Sequence, residues 1–318
     1  MTGPVRRRIR ERYQRQHHLT SPGDVTSEAI DVGGVTRQYW CAPAPPGAVA
    51  PPLLLVLHGA GGQGPGTAAL SGLHRRGPEA GFLTVFPDGV RRVWNDSRTG
   101  GATKRRARID DVGFLEAMVA RFASTGRSRP EGVYLAGISN GALMSEHVGR
   151  HALLDVAGLG LVAGPGTETS RAAQALPARP AAVVLFSGTA DPLIPYGGGP
   201  IGPLGRMVQR RGDTDRGLAV AAEVAAAEWA AAGHLPGPPV VEPIPTAPGD
   251  LAVTRLQWSS PGAATVALYR VSGGGHTWPG GAQYLPERFV GPVARSLDAT
   301  GIMLEAFVSE ERRRRTSA

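Results

Sequence analysis

A serine between two glycines is the first feature of this sequence that could carry out chemistry. Ser139 lies in the segment GISNG, where an apolar stretch stops and a helix-like stretch starts. This spacing at such a junction is typical of a nucleophile elbow, a tight strand-to-helix turn that exposes a serine hydroxyl. Gly137 and Gly141 suit the turn because strand and helix cross there too closely for Cβ atoms. The pattern predicts that Ser139 is a nucleophile.

A serine hydroxyl becomes an effective nucleophile only when a base takes its proton. His276 is the best candidate, because it lies in GGGHTWPGG directly after the strand-like segment TVALYRV. A flexible, glycine-rich turn there could bring the imidazole across the carboxyl edge of the sheet. Asp191 follows the strand-like segment AAVVLF and could orient that imidazole. The order Ser139, Asp191, His276 is the chain order of an α/β-hydrolase triad.

Acyl transfer also needs two backbone N–H groups that bind the oxyanion. One is expected from Asn140, which follows the nucleophile, and the other from Ala60 in the segment HGAGG. The side chain of His58 is expected to hold this second loop by hydrogen bonding.

The other histidines and aspartates considered, and the cysteine, are expected to have structural roles. His147 and His151 form an i, i+4 pair, but two exposed histidines without a third ligand do not predict a metal site. A single helix is expected to follow the glycine-rich loop after 53–57 and to continue to about Ala80, with His74 on its surface. The sequence therefore predicts no metal and no cofactor. Asp88 is read as a turn residue, Asp110 or Asp111 as a helix cap, and Cys41, the single cysteine, as a buried, inert thiol.

The elements that must position these residues alternate between buried strands and helices. Two strands joined by Gly33-Gly34 are expected in 29–40, and further strands at 53–57, 82–86 and 132–136 and in later apolar segments up to TVALYRV. The last helix is expected near 297–309. Such alternation predicts an α/β-hydrolase fold, a doubly wound, mostly parallel sheet with helices on both faces.

The net charge of +8 is concentrated at the two ends of the chain. Residues 1–20 hold six arginines and one glutamate, and 311–318 hold four arginines and one glutamate, so 21–310 is neutral. We expect a disordered basic lead over 1–25, one catalytic domain over 26–310 and a basic tail over 311–318. No apolar segment follows the first arginines, which predicts no secretory signal and, for this sequence as it stands, a cytoplasmic location. No apolar run is long enough to span a membrane.

Six segments occur in an order that resembles a known family: LLLVLHGAGG, GFLTVFPDG, IDDVGFLEAM, GISNGALM, SGTADPLIPYGGG and GGGHTWPGG. Together they are similar to the polyhydroxybutyrate depolymerase-like esterases, relatives of the feruloyl and acetylxylan esterases. The resemblance implies a serine esterase with Ser139, Asp191 and His276 as triad, and it places Trp94 and Trp278 near the acyl pocket. Many relatives have a secretion signal, and a cysteine pair between the acid and the histidine, that this sequence lacks.

The expected partner is a small or oligomeric ester, with no nucleic acid and no membrane span; the oligomeric state is left open. A feruloyl or acetylxylan esterase is the alternative within the resemblance. A peptidase or thioesterase could use the same triad. A hydrolase-fold binding protein directed by its basic ends is the alternative outside enzymes.

Overall fold

A ten-stranded sheet forms the centre of the fold in the computed structural model, which describes residues 22–98, 109–176, 181–202 and 217–316. The strand order is β1-β2-β4-β3-β5-β6-β7-β12-β11-β10, and β8 and β9 form a separate two-stranded sheet. The strands are β1 (Thr26–Val32), β2 (Val35–Cys41), β3 (Leu53–Leu57), β4 (Leu83–Pro87), β5 (Val133–Ile138), β6 (Val156–Val162), β7 (Ala182–Gly188), β8 (Gly199–Pro200), β9 (Leu218–Ala219), β10 (Val240–Ile244), β11 (Val253–Trp258) and β12 (Val266–Val271).

The middle of the sheet, from β4 to β12, is parallel, whereas the pairs β1·β2, β2·β4, β12·β11 and β11·β10 are antiparallel. Strands β3 to β7 are buried along their whole length, as parallel strands covered on both faces must be. Alternate residues of β3 enter two different apolar clusters: Leu53, Leu55 and Leu57 enter one, and Leu54 and Val56 enter the other. The predicted doubly wound, mostly parallel sheet is confirmed.

Helices pack on both faces of the sheet and complete the two clusters together with the other strands. They are α1 (Gly64–Ser71), α2 (Leu73–Glu79), α3 (Asp111–Ser124), α4 (Asn140–Arg150), α5 (Glu168–Ala172), α6 (Ala222–Ala232), α7 (Glu287–Val290) and α8 (Ala299–Thr316), with a short 3-10 helix at Val90–Arg92. Helices α3, α4 and α6 contribute to the cluster of Leu55, and α1, α2 and α8 to that of Leu54. Within the described ranges, no helix is long and apolar enough to cross a bilayer.

The predicted hairpin and strands are present, but the helix after β3 differs from the expectation. The chain breaks into α1 and α2 at Gly72, whose φ of 68° ends one helix and starts the next. This break turns His74 inward: its side chain is buried, and its Nδ1 lies 2.8 Å from the carbonyl oxygen of Ala68. The prediction of a surface position for His74 is wrong.

The last helix also extends beyond its predicted end. It continues to Thr316, and its buried residues Glu310 and Glu311 bind basic and phenolic groups. Glu310 accepts hydrogen bonds from Arg313 and Arg314, and Glu311 accepts one of 2.6 Å from the Tyr134 hydroxyl. The boundary predicted at 310 therefore lies inside a helix, and 311–316 is part of the folded domain. Residues 1–21 of the predicted lead and 317–318 of the predicted tail lie outside the described residues.

Cys41 lies at the end of β2 with its thiol buried in the core. Burial, together with the nearby Glu28 carboxylate, raises the pKa of the Cys41 thiol to about 12. The predicted burial of this cysteine is confirmed, and a thiol that stays protonated at neutral pH is expected to be inert.

Candidate active site

Ser139 occupies a strained turn between β5 and α4. Its φ of 58° and ψ of −123° are unusual for a residue with a side chain, and its N–H donates to the carbonyl of Val162 over 2.9 Å. A Cβ on Gly137 would lie 2.5 Å from the carbonyl carbon of Gly141, and one on Gly141 would lie 2.3 Å from the carbonyl oxygen of Leu57. Both glycines are thus required by close packing, as predicted. Strain of this kind is concentrated at functional sites.

His276 and Asp191 form a buried pair. The Nδ1 atom of His276 lies 2.7 Å from Oδ2 of Asp191, and both side chains are only 2% exposed. The other carboxylate oxygen accepts the N–H groups of Leu193 (2.7 Å) and Ile194 (2.9 Å), so the carboxylate cannot rotate freely. Because a carboxylate is an acceptor, the proton of the neutral imidazole is held on Nδ1, and Nε2 is left to act as a base.

The loop that carries His276 is held more tightly than its glycine content suggests. The His276 N–H donates to the carbonyl of Val290, and its carbonyl accepts from the Tyr284 hydroxyl over 2.9 Å. A Cβ on Gly275 would lie 2.1 Å from the Val290 carbonyl oxygen. The glycines therefore permit close backbone packing, whereas the sequence suggested a flexible turn.

Ser139, Asp191 and His276 follow the carboxyl ends of β5, β7 and β12 in turn. These strands belong to one parallel block of the sheet, so the three residues lie at the same sheet edge. This edge is where α/β proteins bind their ligands. Ser139 is partly exposed there, while His276 and Asp191 are buried.

The loop after β3 passes directly over the elbow. A Cβ on Gly59 would lie 3.3 Å from Cβ of Ser139, and the next residue, Ala60, is exposed. His58 is buried and accepts the N–H of Gly89 at Nε2 (2.9 Å), with its Nδ1 at 2.9 Å from the Gly59 carbonyl oxygen. The predicted structural role of His58 is confirmed.

Asn140 is bound by its side chain to a neighbouring loop. Its Oδ1 accepts the N–H of Trp94 (2.7 Å), and its Nδ2 donates to the Trp94 carbonyl (3.1 Å) and to Oδ2 of Asp96 (2.6 Å). Asp96 is buried and also binds Arg98 through both of its oxygens. Asp96 could not be recognised from the sequence, because it lies in a polar segment without any periodic pattern.

Both candidate substrate-binding tryptophans are buried. The Trp94 indole N–H donates to the His58 carbonyl over 3.0 Å. The Trp278 indole N–H donates over 3.0 Å to Oγ1 of Thr300, which in turn donates to the carbonyl of Ser71. Their role near the acyl pocket stays a prediction.

The three aspartates that the sequence placed at a turn or at a helix start, Asp88, Asp110 and Asp111, have structural roles. Asp110 caps α3 by accepting the Gly113 N–H over 2.7 Å. Asp111 does not cap the helix; its carboxylate binds Arg37 (2.6 Å) and the Asn95 N–H (2.7 Å). Asp88 accepts the N–H of Gly64 at the start of α1 over 2.6 Å.

The histidine pair of α4 is less exposed than the sequence suggested. The ring centroids of His147 and His151 are 4.8 Å apart, and Nδ1 of His147 is buried without a hydrogen-bond partner. Burial, with the adjacent His151, lowers the pKa of His147 to about 4. Among the described residues, no group of three or more His, Cys, Asp or Glu side chains could hold a metal ion.

Comparison with known proteins shows to which family the chain belongs. A scan against family models finds no match. The chain is 31% identical over 278 residues, 86% of its length, to the protein named "Putative esterase NocK" from Nocardia uniformis subsp. tsuyamanensis, of which it covers 79%. The chain belongs to this esterase family. The esterase is also 29% identical over 201 residues to feruloyl esterase B from Piromyces equi, covering 62% of this chain and 34% of that relative.

A solved structure supports the fold. The esterase matches the acetyl xylan esterase from Aspergillus awamori with a TM-score of 0.51 and 13% identity, over 79% of this chain and 94% of that one. At this identity, the match shows a shared α/β-hydrolase fold. The family, and not the shared fold, makes the chain an enzyme that acts on ester bonds.

Proposed function

We propose that the enzyme hydrolyses carboxylic esters with Ser139 as nucleophile, His276 as general base and Asp191 as the residue that orients the imidazole. The observation that carries the proposal is the buried 2.7 Å pair of His276 and Asp191, at the same sheet edge as the strained turn of Ser139. This arrangement leaves Nε2 of His276 free to take the hydroxyl proton.

In the proposed reaction, Ser139 Oγ attacks the ester carbonyl while His276 takes its proton. The N–H groups of Ala60 and Asn140 bind the oxyanion of the tetrahedral intermediate, each contributing about 3 kcal/mol. Asn140 is the first residue of α4, so its N–H has no acceptor within the helix. His276 then protonates the leaving alcohol, and water attacks the acyl-enzyme by the same route to release the acid. All of these steps are assigned to groups of the protein chain itself.

The proposed substrates are esters of the kind cleaved by polyhydroxybutyrate depolymerases, which the sequence motifs resemble. Feruloyl or acetylated xylan esters are the second candidates, favoured by the similarity to a feruloyl esterase. Trp94 and Trp278 are buried, so they would shape the acyl pocket through the loops they hold. Thioester and peptide substrates are the alternatives for the same triad.

The test combines one substitution with a substrate panel. Ser139→Ala should lower kcat on a short aryl ester by about 10⁴-fold or more while the protein stays folded. Ser145→Ala is the matched control, because this buried serine of α4 only donates to the Gly141 carbonyl. If Ser139→Ala retained a tenth of the activity, the proposal would be wrong.

The substrate panel consists of hydroxybutyrate oligomers, methyl ferulate, acetylated xylan, a thioester and a peptide, assayed beside the aryl ester. The profile ranks the proposed substrates against the alternatives. Preference for the peptide or the thioester would overturn the assignment of carboxylic esters while leaving the triad in place.

A further inference from the structure

Residues 89–96, which contain the 3-10 helix and end at Asp96, form a segment with an unusual backbone. Arg91 and Arg92 have φ values of 53° and 62°, in the left-handed region that side chains disfavour. Strain of this kind persists only where surrounding contacts enforce it, and it points to a function. We call this segment the brace.

One end of the brace binds the loop that carries Ala60. The Gly61 N–H donates to the Arg92 carbonyl over 2.6 Å, and the Gly89 N–H donates to Nε2 of His58. The residues on both sides of the Gly59-Ala60 peptide are therefore fixed by the brace. The strained turn at Arg91 and Arg92 is what brings this carbonyl to Gly61.

The other end of the brace binds the elbow. The backbone N–H and carbonyl of Trp94 both pair with the side-chain amide of Asn140, and Asp96 accepts from the same amide. Asn140 is 2% exposed, so no water competes for these bonds. Its side chain thus fixes the backbone of the first residue of α4, whose N–H points toward the substrate in the proposed reaction.

Trp94 joins the two ends. Its backbone holds Asn140, while its indole N–H donates to the His58 carbonyl, two residues before Ala60. One residue therefore links the two proposed oxyanion donors, through its backbone on one side and its side chain on the other.

The brace is itself anchored, and its charge is balanced. The Asn95 N–H donates to the buried carboxylate of Asp111, which is paired with Arg37. A lone carboxylate at Asp96 would repel an oxyanion nearby, but Arg98 binds both of its oxygens and neutralises it. The anchor and the ion pair give the brace a defined position.

We propose that the brace sets the separation and direction of the Ala60 and Asn140 N–H groups, with Asn140, Trp94 and Asp96 as positioning residues. This inference rests on the proposed function, because it assumes those two donors. A misplacement of either donor by about 1 Å would weaken oxyanion binding about 10- to 100-fold while leaving the resting ester bound as before.

The experiment compares two asparagine substitutions within reach of the brace. Asn140→Ala removes the three bonds of the amide to Trp94 and Asp96. Asn95→Ala removes one side-chain bond to the Ile109 carbonyl but keeps the Asn95 backbone N–H that anchors the brace on Asp111. Steady-state kinetics on a short aryl ester are combined with inhibition by an alkyl trifluoromethyl ketone, which forms an oxyanion on the nucleophilic serine.

Asn140→Ala should lower kcat about 10- to 100-fold with KM changed less than about threefold, and should weaken the ketone by the same factor. Asn95→Ala should change both within about twofold. Trp94→Phe keeps an aromatic side chain but loses the hydrogen bond to the His58 carbonyl. It should lower kcat and ketone affinity by smaller factors, and it provides the test if Asn140→Ala does not fold. A change in KM alone, or equal losses for both asparagines, would overturn the proposal.

Ser139→Ala separates this inference from the function on which it rests. If Ser139→Ala abolishes hydrolysis while the brace variants keep wild-type kcat and ketone affinity, only the brace is wrong. If Ser139→Ala retains activity, the proposed function is wrong and the brace proposal with it.

Discussion

Asp191 binds His276 through one carboxylate oxygen and its own loop through the other. Oδ2 lies 2.7 Å from Nδ1 of His276, and Oδ1 accepts the N–H groups of Leu193 and Ile194. The two oxygens therefore have separate functions, one toward the imidazole and one toward the fold.

Asp191→Asn tests this division. The amide oxygen of the variant must remain with the two N–H groups, so its NH₂ group faces His276 and donates to Nδ1. The imidazole proton then moves to Nε2, which can no longer act as a base, and kcat should fall about 10⁴-fold. Steady-state kinetics on an aryl ester measure this loss, and circular dichroism should show an unchanged fold.

Asp250→Asn is the control for that substitution. Asp250 also accepts backbone N–H groups, from Leu251, Arg295 and Ser296, and it is bound to no histidine. Its variant should retain wild-type kcat. A loss of less than about tenfold for Asp191→Asn would remove Asp191 from the proposed triad.

Gly141→Ala should both destabilise the protein and reduce activity. The added Cβ would lie 2.3 Å from the Leu57 carbonyl oxygen, and backbone atoms cannot move aside without shifting α4 from β3. We expect a loss of about 3 kcal/mol in the free energy of unfolding, measured in urea. Kinetics should show a lower kcat, because α4 carries Asn140.

Gly66→Ala is the control for Gly141→Ala, and we expect it to stabilise the protein. Gly66 lies in α1, and a Cβ there would have no heavy atom within 4 Å. Alanine favours the helix, so this variant should gain roughly 0.5–1 kcal/mol and keep its activity. Equal destabilisation by both substitutions would contradict the argument from close packing.

The depressed pKa of His147 should make stability depend on pH. Its pKa of about 4 lies below the ordinary value of 6.5, chiefly because of burial, with His151 adding to the shift and Asp96 opposing it. Below pH 6.5 the unfolded chain binds a proton that the folded chain excludes, so stability falls until the pH reaches about 4. Unfolding free energies measured from about pH 7 to about pH 4 should therefore fall less steeply in His147→Gln.

His234→Gln is the control for the pH series, because His234 is exposed at the end of α6. It should follow the wild-type curve. If His147→Gln also followed that curve, burial of the His147 ring would not be a source of acid sensitivity.

The residues proposed for chemistry were accessible from the sequence because each follows a long apolar segment. The strands that precede them, β5, β7 and β12, are buried and therefore consist mainly of apolar residues, which makes them easy to recognise. Ser139, Asp191 and His276 follow these strands in turn. Strand β10 was missed for the opposite reason: it is exposed along most of its length at the sheet edge, so its residues show no alternation.

Features that depend on contacts between distant parts of the chain could not be predicted from the sequence pattern. The four arginines at 312–315 have the composition of a solvated tail, and only their packing beside buried Glu310 and Glu311 shows that they continue a helix. Asp96 resembles any loop aspartate until Asn140 and Arg98 are found beside it. Sequence periodicity reports burial along one element, whereas these residues are set by contacts between elements.

The inaccessible thiol of Cys41 has a practical consequence for labelling. It is the single cysteine of the chain, and burial with a pKa of about 12 should keep it unreactive toward maleimides at neutral pH. A cysteine introduced at an exposed position, such as Val49, would then be the one site that reacts. The native sequence can therefore accept a fluorophore or a surface tether at a chosen position without prior removal of a background cysteine.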